Sequence, residues 1–367
     1  MSVTKNNGIS LTRREALVMA GGIAAAAALG TDASAQTSNP TPSRAILGDP
    51  INYVNPELRP DLIKLQQQQP GALESVTAAN LQQQRERMMH PNQPMLPSPP
   101  VAERMVPGPA GAPPVRIYIA GTTPGAKRPA VLHFHGGGYV MGTAATARRG
   151  LQELVLAHDC VAISVDYRLA PETRFPGSLE DNYAVLRWMH THADELGIDI
   201  TRIAVKGESA GGGHAAAVAI AAHDRGEFQL CFQLLIYPML DDRTASSIPV
   251  SPYLGHYVWT PASNRFGWTS LLGVPAGSSS VPANAAPARV ADVSGLPPAF
   301  IGVGSIDMFA PEDMLYAQRL LSAGIATELH VIPGAFHAFD EFAPGTSITK
   351  HFQQAWNDAL RQAFTRA

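Results

Sequence analysis

Cysteine is nearly absent. The 367-residue chain has two, Cys160 and Cys231, which excludes a disulfide framework; both fall in apolar runs resembling central strands, where a buried free thiol is expected. Charge of one sign is lacking as well. The formal net charge is −3, with no run of five or more like charges, so there is neither a basic face for nucleic acid nor a charged interaction tail. The apolar stretch nearest the N-terminus, Ala16 to Gly30, has only 15 residues, seven of them alanine. That is short of the roughly 20 needed to cross a bilayer, and no stable membrane anchor is expected.

What the chain has in quantity is core. With 45% hydrophobic and 16% charged residues it fits one large domain with an elaboration. Residues 1–35 follow their own grammar: Arg13 and Arg14, then the alanine-rich stretch, then the small residues Ala33, Ser34 and Ala35. This reads as a signal peptide with a likeness to the twin-arginine type, cleaved after Ala35, and implies an exported protein, periplasmic or secreted.

Residues 36–100 are rich in Gln and Pro, yet "NPELRPDLIKLQQQQPGALESVTAANLQQQRERMM" carries two short segments with helical apolar spacing, expected to form small cap helices. The proline cluster "HPNQPMLPSPP" then makes a stiff, extended connection. From residue 101 onward, strand-like runs ("VRIYIAG", "AVLHFH", "CVAISVDY", "RIAVKG", "CFQLLIYP", "AFIGVGS", "TELHVI") alternate with helix-like stretches. Such alternation predicts an α/β fold, a mostly parallel sheet with helices on both faces. Residues 241–295 break the rhythm with Ser, Pro, Gly, Tyr and Trp. An interval that long is expected to carry structure of its own, as a lid packing with the N-terminal helices.

Ser209 lies in "GESAG" between the strand-like "RIAVKG" and the helix-like "AGGGHAAAVAIAAH". A GxSxG turn in that context lifts a serine hydroxyl above the sheet as a nucleophile; the competing role is a helix N-cap. No GxGxxG spacing occurs at this turn, so a dinucleotide loop is disfavoured. A serine nucleophile also needs donors for the negative charge developing on a carbonyl oxygen. The "HFHGGGYVMG" stretch offers successive glycine N–H groups at 136–138, joined by that of Ala210. Donors so placed are worth roughly 3–4 kcal/mol each in the transition state.

Twelve histidines compete for the role of base. His214 would point about 140° away from Ser209 on the same helix, and His133 and His135 lie on the glycine-loop strand, with His135 placed to orient that loop. His337, after "TELHVI" and "PGAF", falls on a loop at the sheet edge that carries Ser209 and is the expected base. The orienting acid belongs between serine and histidine in chain order. Asp307, directly after "AFIGVGS", is preferred; Asp313 is second, because it and Glu312 suit a helix N-terminus.

Together, "HGGGYVMG", "VDYRLAPE", "GESAGG" and "PGAFHAFD" resemble the bacterial hormone-sensitive-lipase family of esterases, over roughly residues 100–365. The resemblance implies an α/β-hydrolase fold, the triad Ser209, Asp307 and His337, and oxyanion donors at Gly137, Gly138 and Ala210. It also implies a bracing role for Asp166 to Glu172 and a pocket shaped by the lid and N-terminal helices, with Tyr253, Tyr257, Trp259, Phe266 and Trp268 lining that pocket or packing the lid. The expected activity is hydrolysis of a small-molecule carboxylic ester of short to medium acyl chain, with no metal or cofactor. An amidase or peptidase with the same triad, and a non-catalytic small-molecule receptor on the same fold, are the alternatives. Two departures stand out: "DMFAPED" replaces the family's usual Asp-Pro-Leu at the acid, and Ala338 replaces the commoner glycine after the histidine.

Overall fold

The computed structural model describes residues 48–89 and 94–366; the expected signal peptide and its cleavage point lie outside them. Two short helices come first, α1 (Arg59–Gln68) and α2 (Leu81–Met88). Each is only weakly apolar, burying Leu62 and Leu65 in one and Leu81 and Gln84 in the other. Helices this short are held by packing rather than propensity.

The sheet follows. Strands β1 (Val101–Val106), β2 (Val115–Ala120) and β3 (Arg128–Phe134) lead to α3 (Arg148–His158) and β4 (Val161–Asp166). Helices α4 (Gly177–Thr191) and α5 (Ala193–Leu196) precede β5 (Ile198–Glu208), α6 (Ala210–Arg225) and β6 (Phe232–Ile236). The insertion contributes α7 (Pro261–Leu272), and the chain closes with β7 (Ala299–Gly304), α8 (Ala310–Ser322), β8 (Thr327–Ile332), α9 (Phe339–Phe342) and α10 (Ser347–Arg366).

Among the described residues, eight strands form one sheet in the order β1-β2-β4-β3-β5-β6-β7-β8. β2 runs antiparallel to both β1 and β4, and β3 through β8 are parallel with β4. The sequence explains this layering. β3, β4, β6 and β7 are near-continuous apolar runs and are buried along their length, as strands covered on both faces must be. Successive residues then feed opposite cores: Leu234 and Phe300 pack with Phe352 and Leu360 of α10, whereas Leu235 and Ile301 pack with Tyr316 and Leu320 of α8.

Two features differ from expectation. β1, "VAERMV", is a strand that sequence pattern does not reveal: it pairs on one side only and leaves Ala102, Glu103 and Met105 exposed, so no burial imposes an apolar run. Cys160 and Cys231 are both free, but each sits one residue ahead of its strand, and Cys231 is only half-buried. Burial still pushes both thiols up to about 12, so neither is a reactive thiolate at neutral pH.

Candidate active site

Parallel strands place all their C-terminal ends on one side of the sheet, and ligand sites of open α/β sheets gather there. β3 ends into His135 and the three glycines, β5 into Ser209, β7 leads to Asp307 and β8 to His337. Four segments far apart in sequence thus converge by topology alone.

At the β5–α6 junction Ser209 adopts φ +57° and ψ −122°, a conformation that L-residues rarely hold and that stores strain. Its backbone is pinned there: Ser209 N donates to the Ile236 carbonyl, and its own carbonyl accepts from Gly213 N and Met239 N. The flanking glycines are sterically obligatory. A Cβ at Gly207 would lie 2.1 Å from the Gly211 oxygen, and one at Gly211 would lie 2.0 Å from the Phe134 oxygen. Although Ser209 occupies the N-cap position of α6, its side chain caps nothing.

Its Oγ instead lies 2.9 Å from His337 Nε2, and His337 Nδ1 lies 2.7 Å from Asp307 Oδ2. All three side chains are buried. The imidazole is held edge-on between the rings of Tyr237 and Phe309. Both departures noted in the sequence have local solutions. Without a proline after it, the acid's loop is fixed by Phe309 N donating to Asp307 Oδ1 at 3.0 Å, with Met308 and Phe309 buried. Ala338 takes φ +58°, the left-handed region in which glycine would be unstrained.

Asp313 joins no such arrangement. It is fully buried on α8, neither carboxylate oxygen finds a partner among the described residues, and burial, aided by Glu312 and Asp307, pushes its carboxyl well above the usual range. Glu312 instead accepts from the N–H groups of Leu240 and Asp241 and so braces the chain leaving β6.

The glycine loop rises beside Ser209, with Gly136 close enough that a Cβ there would touch the serine's own. Gly137 and Gly138 have φ +118° and +59°. Among the described residues, neither their N–H groups nor that of Ala210 donates to a protein acceptor, leaving three donors free. His135 and His214 serve this loop from behind. His135 stacks on Tyr167 at 4.2 Å, and His214 packs edge-on against Tyr139 and Tyr167. Burial lowers His135 to about 4 and His214, with help from His135, to about 3, so both are neutral scaffold at pH 7.

The Asp166–Glu172 segment is tied into the scaffold. Asp166 accepts from Thr143, Ala144 and Arg116, Tyr167 donates to the His135 carbonyl, and Arg168 forks onto Asp181. Of the aromatic residues expected to line the pocket or pack the lid, Trp259 packs against Gly138, where a Cβ would come within 2.0 Å of its ring. Trp268 is buried against Tyr139, Tyr257 is buried beside Phe336, Phe266 is half-buried, and Tyr253 lies at the surface against Tyr53. The N-terminal segment meets this insertion directly: Ser75 bonds Thr260, and Val76 N donates to Ser263 Oγ at the start of α7.

Sequence reasoning missed a second polar group beneath the elbow. His133 bridges Ser164 Oγ at 2.9 Å and Glu208 Oε2 at 2.8 Å, and Glu208 also pairs with Lys206. Burial would raise the Glu208 carboxyl, but Lys206 and His133 outweigh it and hold it well below the usual range. Neighbouring letters hid this cluster, because its members belong to three strands.

A serine, histidine and aspartate in hydrogen-bonded series, above a mostly parallel sheet with helices on both faces, define an α/β-hydrolase arrangement. Comparison with known proteins agrees: the family described as alpha/beta hydrolase fold matches residues 131–341, and this chain belongs to it, in the hormone-sensitive-lipase group that the four motifs resemble. Esterase LipI of Mycobacterium tuberculosis is 36% identical over 293 residues, covering 78% of this chain and 89% of LipI. Carboxylesterase NlhH of the same organism is 36% identical over 236 residues, covering 63% of this chain and 72% of its own. Among solved structures, a bacterial heroin esterase superposes with a TM-score of 0.73 at 32% identity, covering 86% of this chain and 99% of that one. Esterase LipW of Mycobacterium marinum gives 0.70 at 32% identity, covering 86% and 97%.

Proposed function

We propose that this chain is a serine carboxylesterase acting on short- to medium-chain esters of small molecules. The observation that carries the reading is the single imidazole of His337 reaching Ser209 Oγ on one side and Asp307 on the other. Ser209 Oγ bonds to the ester carbonyl carbon as its proton passes to His337 Nε2, and the carbonyl electron pair moves onto oxygen. The N–H groups of Gly137, Gly138 and Ala210 hold that oxyanion. Collapse breaks the ester C–O bond, and the leaving alkoxide takes the proton back from His337. Water then repeats the sequence on the acyl-serine and releases the acid. Asp307 fixes the imidazole tautomer and stabilises its cation.

The relatives, named as esterases and a carboxylesterase, support ester over amide substrates. A series of p-nitrophenyl esters from acetate to octanoate, run beside amides of matched acyl group, tests the assignment. Faster amide turnover would make the chain an amidase; tight ligand binding with no turnover of any ester would make it a receptor. Export by the twin-arginine route is proposed from the first 35 residues alone. N-terminal sequencing of the periplasmic protein should begin at Gln36, and recovery only from the cytoplasm with residues 1–35 retained would refute it.

A further inference from the structure

We propose that Arg85, on helix α2 and remote in sequence from every motif, is a positioning residue that aims the oxyanion donors. Its kinetic consequences rest on the esterase reading above. The Arg85 guanidinium reaches across to the glycine loop: Nε donates to the Val140 carbonyl at 2.8 Å and Nη2 to the Ala170 carbonyl at 3.0 Å. Nη1 and Nη2 also meet the two oxygens of Glu172 at 2.7 Å each. Four of its five N–H groups are thereby committed in one plane, a geometry that lysine cannot reproduce. The Arg85 side chain is only 21% exposed, so water competes poorly for these bonds.

One of the two carbonyls that Arg85 holds, that of Val140, belongs to the turn that sets the donors, and the other, that of Ala170, belongs to the segment bonded to it. The Gly137 carbonyl accepts from both Val140 N and Met141 N, and Ala170 N donates to the Tyr139 carbonyl. In a trans peptide the C=O and the following N–H point in opposite directions. Fixing the Gly137 oxygen toward 140–141 therefore turns the Gly138 N–H away from that turn, where it meets no backbone acceptor among the described residues. Arg85 secures the far end of that turn through Val140 and the segment following β4 through Ala170. From the other side Trp259 and Gly267 close on Gly138, so the loop is clamped between the N-terminal segment and the insertion.

A donor that engages only a developing oxyanion acts on kcat rather than on ground-state binding. Arg85→Lys keeps the charge and loses the fork. It should lower kcat on p-nitrophenyl butyrate about 10-fold, leave KM within about twofold, and weaken a boronic acid that forms a tetrahedral adduct on Ser209 by the same factor as kcat/KM. Hydrogen exchange of the peptide spanning 136–141 should quicken while that of β5 and β6 does not. Glu172→Gln, a change on an exposed partner, should give the same pattern at about threefold. Unchanged kcat, an effect on KM alone, or unchanged exchange at 136–141 overturns the proposal; if Arg85→Lys does not fold, Glu172→Gln decides by the same criteria. If the native protein hydrolyses no ester, the esterase reading fails separately, and the exchange measurement still decides whether Arg85 holds the turn.

Discussion

His337 Nδ1 and Asp307 Oδ2 meet at 2.7 Å in a setting where both side chains are buried, while the other Asp307 oxygen is occupied by the Phe309 N–H. The carboxylate therefore has one free direction, and it fixes which imidazole nitrogen carries the proton.

Asp307→Asn tests that relationship. An amide that still accepts from Phe309 must present its NH2 to Nδ1, which forces the proton onto Nε2 and leaves nothing to accept the serine proton. The expected loss in kcat is about 10⁴-fold with folding intact. Ser209→Ala should lose at least as much, and retention of wild-type turnover by either variant removes the proposed triad.

Gly138→Ala should be severe for a different reason. The new methyl would sit at φ +59° and 2.0 Å from the Trp259 ring, so the loop must move and carry its donor out of line. A fall in kcat on the order of 100-fold is expected. Trp259→Ala in the same background, measured by kcat, should restore part of it by making room.

Asp313→Asn separates the two candidate acids. Burial raises the Asp313 carboxyl in the folded protein, so the group costs stability above its raised pKa and none below the unfolded value near 3.8. The amide should raise Tm at pH 8, where the buried carboxylate carries its desolvation cost, and the gain should vanish as pH falls below 4. Esterase activity should stay within about threefold of wild type; a large loss would reinstate Asp313 as the triad acid.

His214 predicts acid sensitivity of the opposite sign. Its folded pKa of about 3 lies below the ordinary 6.5, so its contribution is complete above pH 6.5 and is lost as pH falls toward 3. His214→Leu, which keeps apolar contact with Tyr139 and Tyr167, should show a shallower fall of Tm between pH 6.5 and 4 than the wild type. Parallel curves would mean that His214 is not buried neutral.

The sequence alone carried the sheet core, because strands buried on both faces must be continuously apolar; it also marked the Ser209 elbow, whose steric demands need glycine at 207 and 211. Chain order and strand ends were enough to select Asp307 and His337, since parallel topology sends every strand's C-terminal end to one edge. β1 stayed hidden because an edge strand requires no apolar run. Only the tertiary structure decided that Ser209 faces His337 instead of capping α6, that Asp313 finds no partner among the described residues, and that Arg85 grips Val140, Ala170 and Glu172. Those outcomes depend on side-chain direction and on contacts between segments distant in the chain, which local composition and periodicity do not encode.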